Sequence, residues 1–217
     1  MAEGAGPRRA YRSPLREEQA ARTRHRIVEA AAELFSTQGY TGTTMGEIAQ
    51  AAEVSVESVH ATGPKAGLLV EAIRQRYSGD GRWASLLAAH RLQDVVGGTD
   101  VHSGIDRIVE IIAGAHAGSA RLMLELRTVA ALEPVVSDRW DEFLALKRES
   151  WTVTAEWMVR AAEIVPEASA PDVTGDLAAT INVLVSAETY VQLTMDWGFG
   201  EPQYCEWLRR QLRRVQP

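Results

Sequence analysis

The chain is short of several residue types, and each shortage excludes something. Its single cysteine, Cys205, permits no intrachain disulfide, which sets aside a disulfide-stapled scaffold and fits a reducing cytosol. No run of about 18 uncharged apolar residues occurs, so no membrane span is expected. The arginine-rich first 26 residues have no hydrophobic block, so a signal peptide is not expected either, and a cytoplasmic location follows. Lysine is nearly missing: of 23 basic residues only Lys65 and Lys147 are lysines, the bias expected of codons from a GC-rich genome.

The motifs of several chemistries are also missing. There is no G-x-x-x-x-G-K-S/T, no G-x-G-x-x-G and no H-E-x-x-H. The five histidines lack i, i+4 spacing, and one cysteine cannot build a thiolate zinc site. Asp106 with Glu110, and Asp138 with Asp141 and Glu142, read as solvated helix faces rather than acid–base pairs. Neither a cofactor, a metal nor an enzymatic activity is expected.

What is present is a 217-residue chain with 46% hydrophobic residues, enough for one large core or two modest ones. Its net charge of −6 is unevenly spread. Residues 1–26 carry seven arginines against three glutamates, whereas residues 79–217 carry seven more acidic than basic residues. A basic end and an acidic body suit different partners.

Residues 1–14 hold Gly4, Gly6, Pro7 and Pro14 among arginines with almost nothing apolar, and read as a flexible arm. From Leu15 a helix begins; Ile27, Ala30, Ala31, Leu34 and Phe35 recur at spacings of three and four, and Gly39 supplies the stop. Thr44 followed by Glu47 is a capping box for a short helix through Ile48, Ala49 and Ala52. Ser55 caps a second short helix with Val56 and Val59, which must end near Thr62 because Gly63-Pro64 opens the next. Two short helices joined by about three residues between longer ones make a helix-turn-helix, or else an unrelated helical hairpin. Beyond Ser78 the chain has no strand-like alternation, only helical runs punctuated by glycine and proline. The fold class expected is all-α: a helix-turn-helix three-helix bundle over 15–78, then a larger helical domain over 79–217.

The run T-R-H-R-I-V-E-A-A-A-E-L-F-S-T-Q-G-Y-T-G-T-T-M-G-E-I-A-Q-A-A-E-V-S from Thr23 to Ser55 resembles the DNA-binding domain of tetracycline-repressor (TetR) type regulators. S-V-H-A-T-G-P-K-A-G-L-L from Ser58 to Leu69 resembles the same family's recognition and fourth helices. The chain departs from the family in having Glu53 where glycine is usual in the turn and His60 where tyrosine is usual. A phenylalanine that normally follows is missing, with Gly63-Pro64 in a loop one residue shorter.

The resemblance implies a homodimeric regulator, most simply a repressor, that reads an inverted-repeat operator in double-stranded DNA and is released by a small effector. Ser55, Val56, Glu57 and Ser58 on the third helix would face bases, although Glu57 reads equally as a solvated charge. Thr44, His60 and Lys65 would hold phosphates. That helix has neither lysine nor arginine, so Arg8, Arg9 and Arg12 of the arm are expected in the minor groove, the alternative being a tail that only solubilises. Six tryptophans are many for this length and suit the wall of a pocket for an apolar or aromatic effector, although each alone also suits a core. Trp83, His90, His116, Met123, Trp151 and Trp157 are the candidate ligand residues. Glu188 joins them as a carboxylate on an apolar stripe, for a ligand cation or an interface arginine such as Arg160. The helices at 136–165 and 172–197 would form the dimer, the second as one helix apolar on two faces. The competing reading is a binding protein of this fold with weakened or lost operator recognition.

Overall fold

The computed structural model describes residues 14–78, 95–96, 98, 100–162 and 172–217, so Arg8, Arg9, Arg12, Trp83 and His90 lie outside the described residues. Among the described residues all regular structure is helical.

Helix α1 (Pro14–Gly42) buries Ile27, Ala31 and Phe35 of the expected stripe, with Val28 and Ala32 buried beside them, while Ala30 and Leu34 are only half-buried. Its continuity breaks at Gly39 (φ 77°, ψ 164°), a conformation side chains with a Cβ avoid. Helix α2 (Met45–Ala51) starts at the expected capping box: the Glu47 N–H donates to Thr44 Oγ1 (3.2 Å) and the Thr44 N–H donates to the Glu47 carboxylate (2.7 Å). Helix α3 (Val56–Thr62) starts at Ser55, whose hydroxyl accepts the Ser58 N–H (3.2 Å). The turn between α2 and α3 passes through Glu53 at φ 55°, the one positive-φ residue other than glycine among the described residues. Pro64 precedes α4 (Lys65–Ser78).

The body contains α5 (Val101–Ala117), α6 (Ala120–Ala130), α7 (Pro134–Ala161), α8 (Val173–Leu184), α9 (Ala187–Val191), a π-helical turn (Gln192–Asp196) and α10 (Glu201–Val215). Two apolar cores form. One joins α1 to α4 with Leu122, Met123 and Leu126 of α6 and Phe143 of α7, so the packing that holds the helix-turn-helix continues past Ser78 into the body. The other joins α5, the second half of α7, α8 and α10. No helix among the described residues is long and apolar enough to cross a membrane.

Two local readings are corrected. The helix expected over 172–197 is broken after Leu184. Ser186 Oγ accepts the Thr189 N–H (3.1 Å) as a new cap, the Thr189 hydroxyl donates to the Val183 carbonyl (2.7 Å), and the Val185 carbonyl bonds His116 Nε2 (2.9 Å). Side chains thus satisfy the backbone that a continuous helix would use. Asp106 is not merely solvated: Arg209 and Arg213 each reach it at 2.9 Å, pinning α10 to α5. Within the chain Glu188 pairs with Arg127, and Arg160 lies 3.7 Å from Glu156.

Candidate nucleic-acid face and internal cavity

On α3, Val59 is sunk in the core while Val56, Glu57 and His60 are exposed, as are Ser55 at its start and Thr44 at the start of α2. Val56 leaves 40% of its surface in solvent. The Glu57 carboxylate is held below its ordinary range by its own backbone N–H and by the Ser55 hydroxyl. Lys65 is half-buried with its ammonium 4.4 Å from the centroid of the Tyr40 ring. Burial pulls its ammonium down, and the nearby Glu47 opposes this. Tyr40 was not legible as a site residue; it sits in the family-like run, but only the fold brings it beneath Lys65. Arg24 donates to the Thr62 carbonyl (3.2 Å), tying α1 to the end of α3.

Behind this face a cavity of about 510 Å³ opens between α4, α6, α7 and the α8–α9 break. Four of the expected ligand residues meet there: His116, Met123, Trp151 and Glu188. Trp157 does not join them. It points to the opposite core, where its indole N–H donates to the Gly98 carbonyl (2.8 Å) and its ring covers Gly104.

The wall also includes residues that sequence reasoning missed: Tyr77, Arg127, Trp140, Phe143 and Lys147. Trp140, Phe143, Lys147 and Trp151 recur at spacings of three and four along α7, so extending the face already marked by Trp151 would have found them. Trp140 stacks on Phe143 with centroids 5.5 Å apart, and Tyr77 meets Phe143 edge-on at 6.2 Å. Burial pushes the Tyr77 phenol up to about 12 and the His116 imidazole down to about 4, so both are neutral. Burial also draws the Lys147 ammonium down, with Glu188 acting against it. Burial raises the Glu188 carboxyl, but its own backbone N–H, Arg127 and Lys147 outweigh that and hold it ionised.

Two elements touch both regions. Helix α4 begins at Lys65 and ends beside the cavity at Tyr77; its 14 residues span about 20 Å at 1.5 Å each. Helix α6 lines the cavity with Met123 and Arg127, while its Glu125 accepts the Tyr40 N–H (2.8 Å) and its Arg121 donates to the Ser36 carbonyl (3.1 Å).

Residues 27–62 match the family of bacterial regulatory proteins described as the tetR family. No curated protein sequence matches the chain. The fold resembles that of a Saccharomonospora viridis protein described as a transcriptional regulator, solved in complex with choline: TM-score 0.64 at 19% identity, covering 89% of this chain and 95% of that one. A Mesorhizobium loti protein described as a TetR-family transcriptional regulator gives a TM-score of 0.59 at 16% identity over 91% and 96% of the two chains. A Clostridium perfringens protein described as a fatty acid metabolism regulator gives 0.55 at 15% identity over 88% and 97%. At these identities the likeness establishes the fold.

Proposed function

We propose that this chain, whose residues 27–62 match the TetR family of bacterial regulatory proteins, is a transcriptional regulator that represses by binding an inverted-repeat operator as a homodimer, and that a small molecule in the α4–α6–α7 cavity releases it. The observation that carries this reading is the double duty of α4 and α6, each of which lines the cavity and packs in the helix-turn-helix core. A ligand that fits one arrangement of these helices better than another shifts the population toward it, and the spacing of two α3 helices in a dimer shifts with it. Ser55, Val56 and Ser58 meet base edges; Thr44, His60 and Lys65 meet phosphates. Arg8, Arg9 and Arg12 add cations that α3 lacks. The exposed Val153 on α7 and Val183 on α8 support a dimer through those helices. The choline bound by the Saccharomonospora viridis protein supports small-molecule binding by this fold.

The test is selection of random duplexes by the purified protein at near-physiological salt, followed by sequencing of the retained pool. An enriched inverted repeat is the expected result. Salt-sensitive binding with no enriched sequence would refute the repressor and favour a ligand-binding protein that has lost operator recognition. The absence of arginine and lysine from α3 favours that second reading.

A further inference from the structure

The cavity wall carries more than apolar surface, and its polar groups are unevenly matched. Arg127 and Glu188 form an ion pair with each other. Lys147 has no carboxylate within 4 Å among the described residues; its ammonium lies 6.0 Å from the Phe143 ring centroid. Among the described residues the wall therefore holds one cation more than it holds anions, since Tyr77 and His116 are neutral.

Two buried ring nitrogens add direction. Trp151, one helical turn beyond Lys147 on the same face of α7, is 2% exposed, and its indole N–H meets no acceptor among the described residues. His116 is 4% exposed; with Nε2 donating to the Val185 carbonyl, its Nδ1 is a bare acceptor without a partner. Buried polar atoms are seldom left unpaired, because each forfeits a hydrogen bond it had in water. An unpaired ammonium and an unpaired donor on α7, with an unpaired acceptor on α5, define a ligand by its complement.

We propose that the cavity selects a small organic acid, with its carboxylate set against Lys147 and Trp151, an apolar or aromatic body among Tyr77, Trp140 and Phe143, and a hydroxyl or N–H that donates to His116. The proposal rests on the cavity being the effector site. A quaternary ammonium like choline fits this wall less well, because the Lys147 ammonium in the same wall repels it.

Three probes that share one body separate the possibilities: 3-(4-hydroxyphenyl)propanoate, its methyl ester, and tyramine as the cation. Their binding to the full chain is read by quenching of intrinsic tryptophan fluorescence and by calorimetry. The acid is expected to bind at least tenfold more tightly than the ester or the amine. Lys147→Met should weaken the acid at least tenfold and leave the ester unchanged, which also reports an intact cavity; Lys147→Arg should retain the preference. Equal or tighter binding of ester or amine, or an acid affinity indifferent to Lys147→Met, overturns the selection of an acid while leaving the cavity as the effector site. Failure of all three probes to bind at millimolar concentration overturns the effector site itself, and this proposal with it.

Discussion

His116 shows how much one side chain can hold together. Its ring lies 6.1 Å from Tyr77 and 5.5 Å from Tyr190, its Nε2 bonds the carbonyl that the α8–α9 break sets free, and Lys147 and Glu188 act on it electrostatically. Buried this way it stays neutral to about pH 4, whereas in the unfolded chain it titrates near 6.5. Between those values the unfolded state binds the proton and the folded state does not, so stability is complete above pH 6.5 and is lost as the pH falls toward 4. About 2 kcal/mol should disappear between pH 6.5 and 5, measured by urea denaturation at stepped pH. In His116→Gln that portion of the profile should be flat; parallel profiles would show that the histidine is not its source. Glu53 is the other residue whose conformation stands out. Its positive φ was foreseeable, because it occupies the turn position where the family has glycine, and it holds that conformation at a cost on the order of 1 kcal/mol.

At the scale of elements, the contact between α5 and α7 depends on an absent side chain. A Cβ at Gly104 would stand 2.3 Å from the Trp157 ring, closer than atoms approach, and that ring is buried and anchored through its bond to Gly98. Placing alanine in a helix normally stabilises it by up to about 1 kcal/mol, but the overlap here costs more, so Gly104→Ala should destabilise the protein by about 2 kcal/mol. Chemical denaturation checks this, and Gly104→Ala combined with Trp157→Phe should recover part of the loss by removing the ring that clashes. The helix break at Val185 and Ser186 belongs to the same scale. Periodicity alone carries one helix through 172–197, because the serine and threonine hydroxyls that replace its backbone bonds are compatible with a continuous helix until His116 arrives from another element.

For the whole molecule, exposed apolar side chains mark α7, α8 and the turn beyond α9, where Val153, Val183, Met195 and Trp197 remain in solvent. If two copies meet there, Val153→Glu places a charge in the seam without entering the core of either copy. Sedimentation at micromolar concentration should then move from dimer to monomer. A sedimentation profile identical to that of the unaltered protein would place the contact elsewhere.

The amino-acid sequence by itself determined the helices of the helix-turn-helix segment, their caps and their stops. Those depend on neighbours three or four residues apart: Thr44 with Glu47, Ser55 with Ser58, Gly39 at the end of α1. It also marked Trp151 and Met123 as candidate wall residues, since aromatic and thioether side chains are recognisable wherever they fall. Only the tertiary structure decided which candidates share one cavity. It set Trp157 on the far side of α7 from Trp151, brought Tyr77 of α4 to Phe143 of α7, and left Lys147 unpaired among aromatic rings. A cavity is made by the distance between helices far apart in the chain, and local spacing carries no information about that distance.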